Sequence, residues 1–228
     1  MGISSMGVPR TIVLDLARLA KASVFVETGT YQGGTTRWAA EHFPTVFTIE
    51  RAEVLYRQHR DGLASLPGVT PLLGDSRSVL PTIVAGLGEK RAVHWLDGHW
   101  SGGETAGADD ECPLLDELAC LAGRKQDLIL IDDARLFLCA PPLPHRAAAW
   151  PTLPEIVDAL SGPGGRPFIQ VVDDVLFAIP DREPLRSCLV DYAQARSGEF
   201  WREFSRASSR PRGRLRTALS RMTGRSKG

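Results

Sequence analysis

The chain of 228 residues carries 27 basic and 27 acidic side chains, so its formal net charge is zero, and 43% of it is hydrophobic. That balance is ordinary for a soluble domain with a substantial core, and no apolar run approaches the ~20 residues a membrane-spanning helix needs. Cys112, Cys120, Cys139 and Cys188 lie far apart without a C-x-x-C pair, which argues against a cysteine zinc site or a disulfide scaffold. The first ten residues lack the basic-then-apolar pattern of a leader, so the expected location is the cytoplasm.

The first readable element is the apolar run 24–27, which ends in Glu27 and passes through Gly29 and Gly33 into a helix-compatible stretch, 37–42. Glycines there let the backbone turn sharply and approach a ligand. The next runs are 46–50, ending in Glu50, and 69–73, followed by Gly74-Asp75-Ser76. After them come 92–97, ending in Asp97-Gly98-His99, and 128–132, ending in Asp132-Asp133. Several are dense in Val, Ile and Leu without strict alternation, as strands buried on both faces are. Between them, 51–66, 76–87 and 113–122 carry apolar residues at helical spacing, with Ser76 suited to cap the second. Thr152 and Glu155 have the spacing of a capping box, predicting a helix over 153–160. Two apolar runs in 168–179 meet at Asp173-Asp174, which predicts a tight hairpin.

Strands alternating with helices predict an α/β fold: a doubly wound, mostly parallel seven-stranded sheet, Rossmann-like, with a C-terminal antiparallel hairpin. The body is expected over 1–204. Residues 205–228 hold eight basic residues and no acid, which leaves 19 basic against 27 acidic residues, or −8, in the body. That segment is expected to be a solvated, disordered tail able to contact an anionic partner such as RNA or lipid.

In open α/β sheets ligands bind at the carboxyl ends of the strands. Glu50 lies 23 positions after Glu27, where dinucleotide folds place an acid that accepts from ribose hydroxyls; the plainer reading is a strand-end surface acid. Asp75 would receive an adenine amino group, or simply cap a helix. An acid before the first glycine repels phosphate and suits a cationic or amino-bearing ligand. Asp97, Asp132 and Asp133 at neighbouring strand ends form a carboxylate cluster suited to Mg²⁺, Mn²⁺ or Ca²⁺. His99 beside them is a proton acceptor, a metal ligand or neither. The loop 101–112 carries Glu104, Asp109, Asp110 and Glu111, read either as a lid with ligands or as solvated acids ahead of a helix. Arg135 either recognises an anion or neutralises the acids. Trp100 and Trp150 either wall a substrate pocket or belong to the core.

The frame Glu27-x-Gly29-x-Tyr31-x-Gly33, with Thr35 and Thr36 after it, resembles motif I of class I S-adenosylmethionine-dependent methyltransferases. It is most similar to the catechol-type, metal-dependent O-methyltransferases, and the resemblance covers roughly 24–179. It implies Glu27, Gly29, Tyr31 and Gly33 on the methionine side of the cofactor, Glu50 on the ribose, and Asp75 with Ser76 on the adenine side. Asp97 counts both among the cofactor contacts and, with His99, among the catalytic residues. The metal ligands implied are Asp97, Asp132 and Asp133, the last standing where that family has Asn. The family's lysine base is missing after Asp97, and His99 is the nearest substitute. The expected activity is therefore O-methylation of a small-molecule hydroxyl by S-adenosylmethionine, assisted by a divalent metal. The alternatives are a metal-dependent hydrolase or oxygenase on Asp97, His99 and Asp132, or a non-enzymatic module working through the tail.

Overall fold

The computed structural model describes residues 7–100, 107, 109–162 and 165–209. Its strands are β1 (Ala22–Thr28), β2 (Thr45–Glu50), β3 (Val69–Leu73), β4 (Arg91–Leu96), β5 (Leu128–Ile131), β6 (Phe168–Val172) and β7 (Val175–Ile179). They form one sheet in the order β3-β2-β1-β4-β5-β7-β6, parallel except where β7 meets its two neighbours. The helices are α1 (Arg10–Ala20), α2 (Gly34–Ala40), α3 (Glu53–Ala64), α4 (Ser76–Leu87), α5 (Leu114–Leu121), α6 (Arg135–Leu138), α7 (Leu153–Leu160) and α8 (Leu185–Ser209). The expected sheet and terminal hairpin are both present.

Alternation along the strands splits the core into two layers. Phe25, Val93, Trp95, Leu128 and Leu130 face one side with α1, α2 and the start of α8. Val24, Val26, Leu96, Ile129 and Ile131 face the other with α4, α5 and α7. Phe25 meets Trp38 edge-on at 5.8 Å and Phe43 at 5.2 Å. Burying side chains of this size stabilises by roughly 1.5–3 kcal/mol each, so the two layers together hold the strand tips in place. β3 tolerates Pro71 because an edge strand has a neighbour on one side only.

The hairpin turn is the two-residue pair Asp173 (φ 52°) and Asp174 (φ 66°), left-handed at both positions as such a turn requires. Its side chains do more than turn the chain. Asp173 accepts from Arg196 Nε at 2.9 Å and from the Tyr192 hydroxyl, tying α8 to the sheet. Asp174 accepts from the backbone N of Arg135 at 2.9 Å and pairs with its guanidinium, which holds the loop after β5.

Three helices, α1, the short α6 and α8, have no counterpart in the sequence-based expectation. The boundary expected at 204/205 falls inside α8, which continues through Ser209. The rest of the basic segment, 210–228, lies outside the described residues. No described helix is long and apolar enough to cross a membrane.

Candidate functional site

The sheet order reverses between β1 and β4, and the crevice at their carboxyl ends holds a cavity of about 430 Å³. Gly29, Tyr31, Glu50, Asp75, Ser76, Asp97, His99, Asp132 and Asp133 all line it. Nine residues scattered over a hundred positions are thus brought to one place by five strand ends.

Gly29 has φ 83°, and a Cβ there would sit 2.2 Å from the carbonyl oxygen of Asp97. The glycine is therefore demanded by the close approach of the β4 end as well as by the turn. Tyr31, also left-handed at φ 49°, is 52% exposed over the cavity mouth. Glu50 is 7% exposed, with one carboxylate oxygen accepting from Tyr31 N at 2.8 Å and the other from Ala52 N at 2.7 Å. Each oxygen keeps a lone pair for a further donor, so the carboxylate is oriented before any ligand arrives.

Two of the expected cofactor contacts do not reach the cavity. Glu27 is 2% exposed and lies beneath the floor, where its Oε2 accepts from Thr36 Oγ1 at 2.5 Å and Thr48 Oγ1 at 2.7 Å. Gly33 (φ 72°) starts α2, and a Cβ on it would meet Leu63 at 2.8 Å. Its role is steric. Asp75 lines the cavity but is already engaged: it accepts from Arg77 N at 3.0 Å at the start of α4 and pairs with the Arg77 guanidinium at 2.9 Å. Ser76 is buried beside it.

The acids on the far wall are arranged around His99. Its Nε2 lies 2.8 Å from Asp133 Oδ2 and 3.8 Å from Asp97 Oδ1. Arg135 Nη1 lies 2.7 Å from the other oxygen of Asp133. Asp132 Oδ1 accepts from the backbone N of Asp133 at 2.8 Å. The His99 ring and the Arg135 guanidinium thus occupy both oxygens of Asp133, and among the described residues no three His, Cys, Asp or Glu side chains are arranged to hold a metal ion. The donor set implied for Mg²⁺ or Mn²⁺, Asp97 with Asp132 and Asp133, does not fit the ion as arranged. The Asp97, His99 and Asp132 set of the iron alternative fails the same test.

Electrostatics follow from this packing. Burial pushes Glu27 up to about 7 against the pull of the Thr36 and Thr48 hydroxyls. Burial and the neighbouring Asp133 raise Asp132 to about 6. Asp97 is raised by desolvation and by Asp132 and Asp133, with His99 opposing. Asp133 goes the other way: burial opposes it, but the His99 hydrogen bond and the charges of His99 and Arg135 hold it below the ordinary value. Burial disfavours the His99 cation, yet Asp133 and Asp97 outweigh that and raise its pKa above 6.5. An acid-rich crevice that retains protons carries less charge at neutral pH than its formal count.

Sequence reasoning missed Glu117 of α5. It is 2% exposed, its Oε1 is buried without a hydrogen-bond partner among the described residues, and its pKa is raised chiefly by burial. It also missed the use made of Glu111, read there as a lid ligand or a solvated acid. Glu111 is 1% exposed and accepts from Trp150 Nε1 at 2.7 Å and Arg146 N at 3.0 Å. Burial opposes its ionisation, but those donors and His145 hold it at about 2. Trp150, clamped this way, packs against His99 with ring centroids 5.2 Å apart, and Phe137 adds a second ring at 6.4 Å. Asp110 pairs with Arg77, and Glu104 lies outside the described residues.

No protein-family model and no curated protein matches the chain. Solved structures do. Human methyltransferase-like protein 13, solved with SAH, superposes with a TM-score of 0.52 over 92% of this chain and 94% of its own, at 15% identity. A Staphylococcus aureus protein provisionally assigned as a caffeoyl-CoA O-methyltransferase gives 0.50 over 78% of this chain and 86% of its own, also at 15% identity. The chain has the class I methyltransferase fold.

Proposed function

We propose that the protein is an S-adenosylmethionine-dependent methyltransferase acting on a small-molecule hydroxyl, with His99 as proton acceptor. The observation that carries this reading is the oriented carboxylate of Glu50 on the wall of the crevice at the β1/β4 switch point, which supports its use as an acceptor for two ribose hydroxyls.

When bound, the cofactor supplies an electrophilic methyl on a sulfonium. The chain's own residues hold it and manage one proton. Glu50 takes the ribose hydroxyls through its two oxygens. The Gly29–Tyr31 turn brings backbone close to the ligand, and a cation there would favour ionisation of Asp97 and Asp132, which burial otherwise opposes. Asp133 orients His99 through Nε2, leaving Nδ1 as the nitrogen able to take the acceptor's hydroxyl proton. A raised pKa keeps His99 partly protonated near neutrality, so turnover should increase as pH rises through its value. No step is routed through a metal, because Asp133 is engaged by His99 and Arg135.

Calorimetric titration with S-adenosylmethionine and its demethylated product tests the reading. The wild-type chain should bind both saturably, and Glu50→Ala should weaken both by tenfold or more, the equivalent of about 1.4 kcal/mol. Equal binding by Glu50→Ala removes the assignment. Transfer that stops on chelation would return the proton step to a metal.

A further inference from the structure

A second cavity, of about 230 Å³, lies at the opposite end of the sheet, between the start of β5 and the end of its antiparallel neighbour β7. It shares no lining residue with the candidate cofactor crevice. Its apolar side is formed by Leu118 and Leu121 of α5, Ile129 of β5 and Leu160 of α7. Its polar side is cationic: Arg124, Lys125, Arg166 and Arg182 stand against Asp127 and Asp181, a formal charge of +2.

The two acids are committed elsewhere. Asp127 pairs with His94 Nε2 at 2.9 Å and with Arg124 Nε at 2.8 Å, and accepts from Ala92 N at 3.2 Å. Asp181 pairs with Arg186 at 3.2 Å. Arg124 is further held by the carbonyl of Gly88 at 2.7 Å, and Arg166 reaches Ser161 Oγ at 3.3 Å. Lys125 and Arg182 remain without a side-chain hydrogen bond or ion pair among the described residues, and Arg182 Nε is shielded from solvent with no acceptor. A shielded donor on a charged group left without an acceptor is unfavourable, because it has given up water and gained no partner. An oxyanion with an apolar body would satisfy that donor and cover the leucines at once.

The geometry points to this cavity as a binding site for a small organic anion, a carboxylate or a phosphate monoester, held by Lys125 and Arg182 with its apolar body on Leu118, Leu121 and Leu160. The volume is below the roughly 300–1,000 Å³ of drug-sized sites, so a single-ring acid fits the expectation better than a nucleotide. The inference is independent of the methyltransferase reading, since it uses neither the crevice nor its residues.

Calorimetric titration of the full chain at low salt with benzoate, phenyl phosphate, inorganic phosphate and neutral benzyl alcohol tests it. Benzoate or phenyl phosphate should bind saturably and at least fivefold more tightly than benzyl alcohol and inorganic phosphate, the tighter of the two naming the head group. The double variant Lys125→Gln, Arg182→Gln, checked for native circular dichroism, should lose at least fivefold in that affinity. In the wild-type chain, the anion should also protect Lys125 from acetylation, read by peptide mass spectrometry. No saturable binding, binding of benzyl alcohol or inorganic phosphate as tight as the organic anions, an unaffected double variant or unprotected Lys125 would each overturn the inference.

Discussion

Replacing Glu27 by Gln should stabilise the protein, and only at high pH. The carboxyl is buried under the cavity floor, and desolvation raises it from the ordinary 4.5 to about 7. Its folded value exceeds its unfolded one, so the proton's stabilising effect is complete below pH 4.5 and is lost as pH rises through about 7. Each pH unit of that difference is worth about 1.4 kcal/mol, so the ionised group costs the empty protein roughly 3 kcal/mol at pH 8. Glutamine keeps an oxygen for the Thr36 and Thr48 hydroxyls and has no charge to desolvate. Urea unfolding of both chains from pH 4 to 8 should therefore show near-equal stability at the acid end and a growing advantage for Glu27→Gln. That corresponds to roughly 6–12 °C in Tm for a chain of this size. A difference between the two chains that does not change with pH, or one that favours the wild type as pH rises, would refute the claim that burial governs this carboxyl.

Three further outcomes follow from the same geometry. Glu111→Gln should destabilise by about 1–3 kcal/mol in urea unfolding, because an amide has one acceptor oxygen where the carboxylate uses two for Trp150 and Arg146, and it should raise the quantum yield or shift the emission of Trp150. Gly29→Ala should cost roughly 2–4 kcal/mol, since the new methyl would fall on the Asp97 carbonyl at a left-handed φ, with thermal unfolding as the readout. Asp133→Asn should lower the pKa of His99, seen as an acid-ward move of its ring-proton titration by NMR, because Asp133 is the main group holding the imidazolium. An unmoved titration would remove Asp133 as the positioning residue.

The fold was largely legible because its strands are short apolar runs ending in acids and its helices carry clear start signals. The capping box at Thr152 and Glu155 stands where its residues indicate, and the helix 76–87 forms as expected, although Asp75 rather than Ser76 caps it. Helix α1 was legible too and went unread, although Ile12, Val13, Leu16, Ala17 and Ala20 are buried at helical spacing. Helix α8 is a different case. Only its start is apolar enough to be buried, at Leu185 and Leu189, and it leaves Trp201 60% and Phe204 55% exposed. Its polar stretch carries no pattern that separates a helix from a tail.

Identity and order of residues were enough to place Glu50, Asp97, His99, Asp132 and Asp133 at strand ends, because a parallel sheet delivers every strand's carboxyl end to the same edge. Which of those groups face a ligand and which face one another was decided by packing at ångström scale. Glu27 is drawn under the floor by two threonine hydroxyls, Asp75 is taken by Arg77, and His99 with Arg135 neutralises Asp133 where a metal had been expected. Ion pairing and desolvation depend on distances between groups far apart in the chain, and only the folded chain sets those distances.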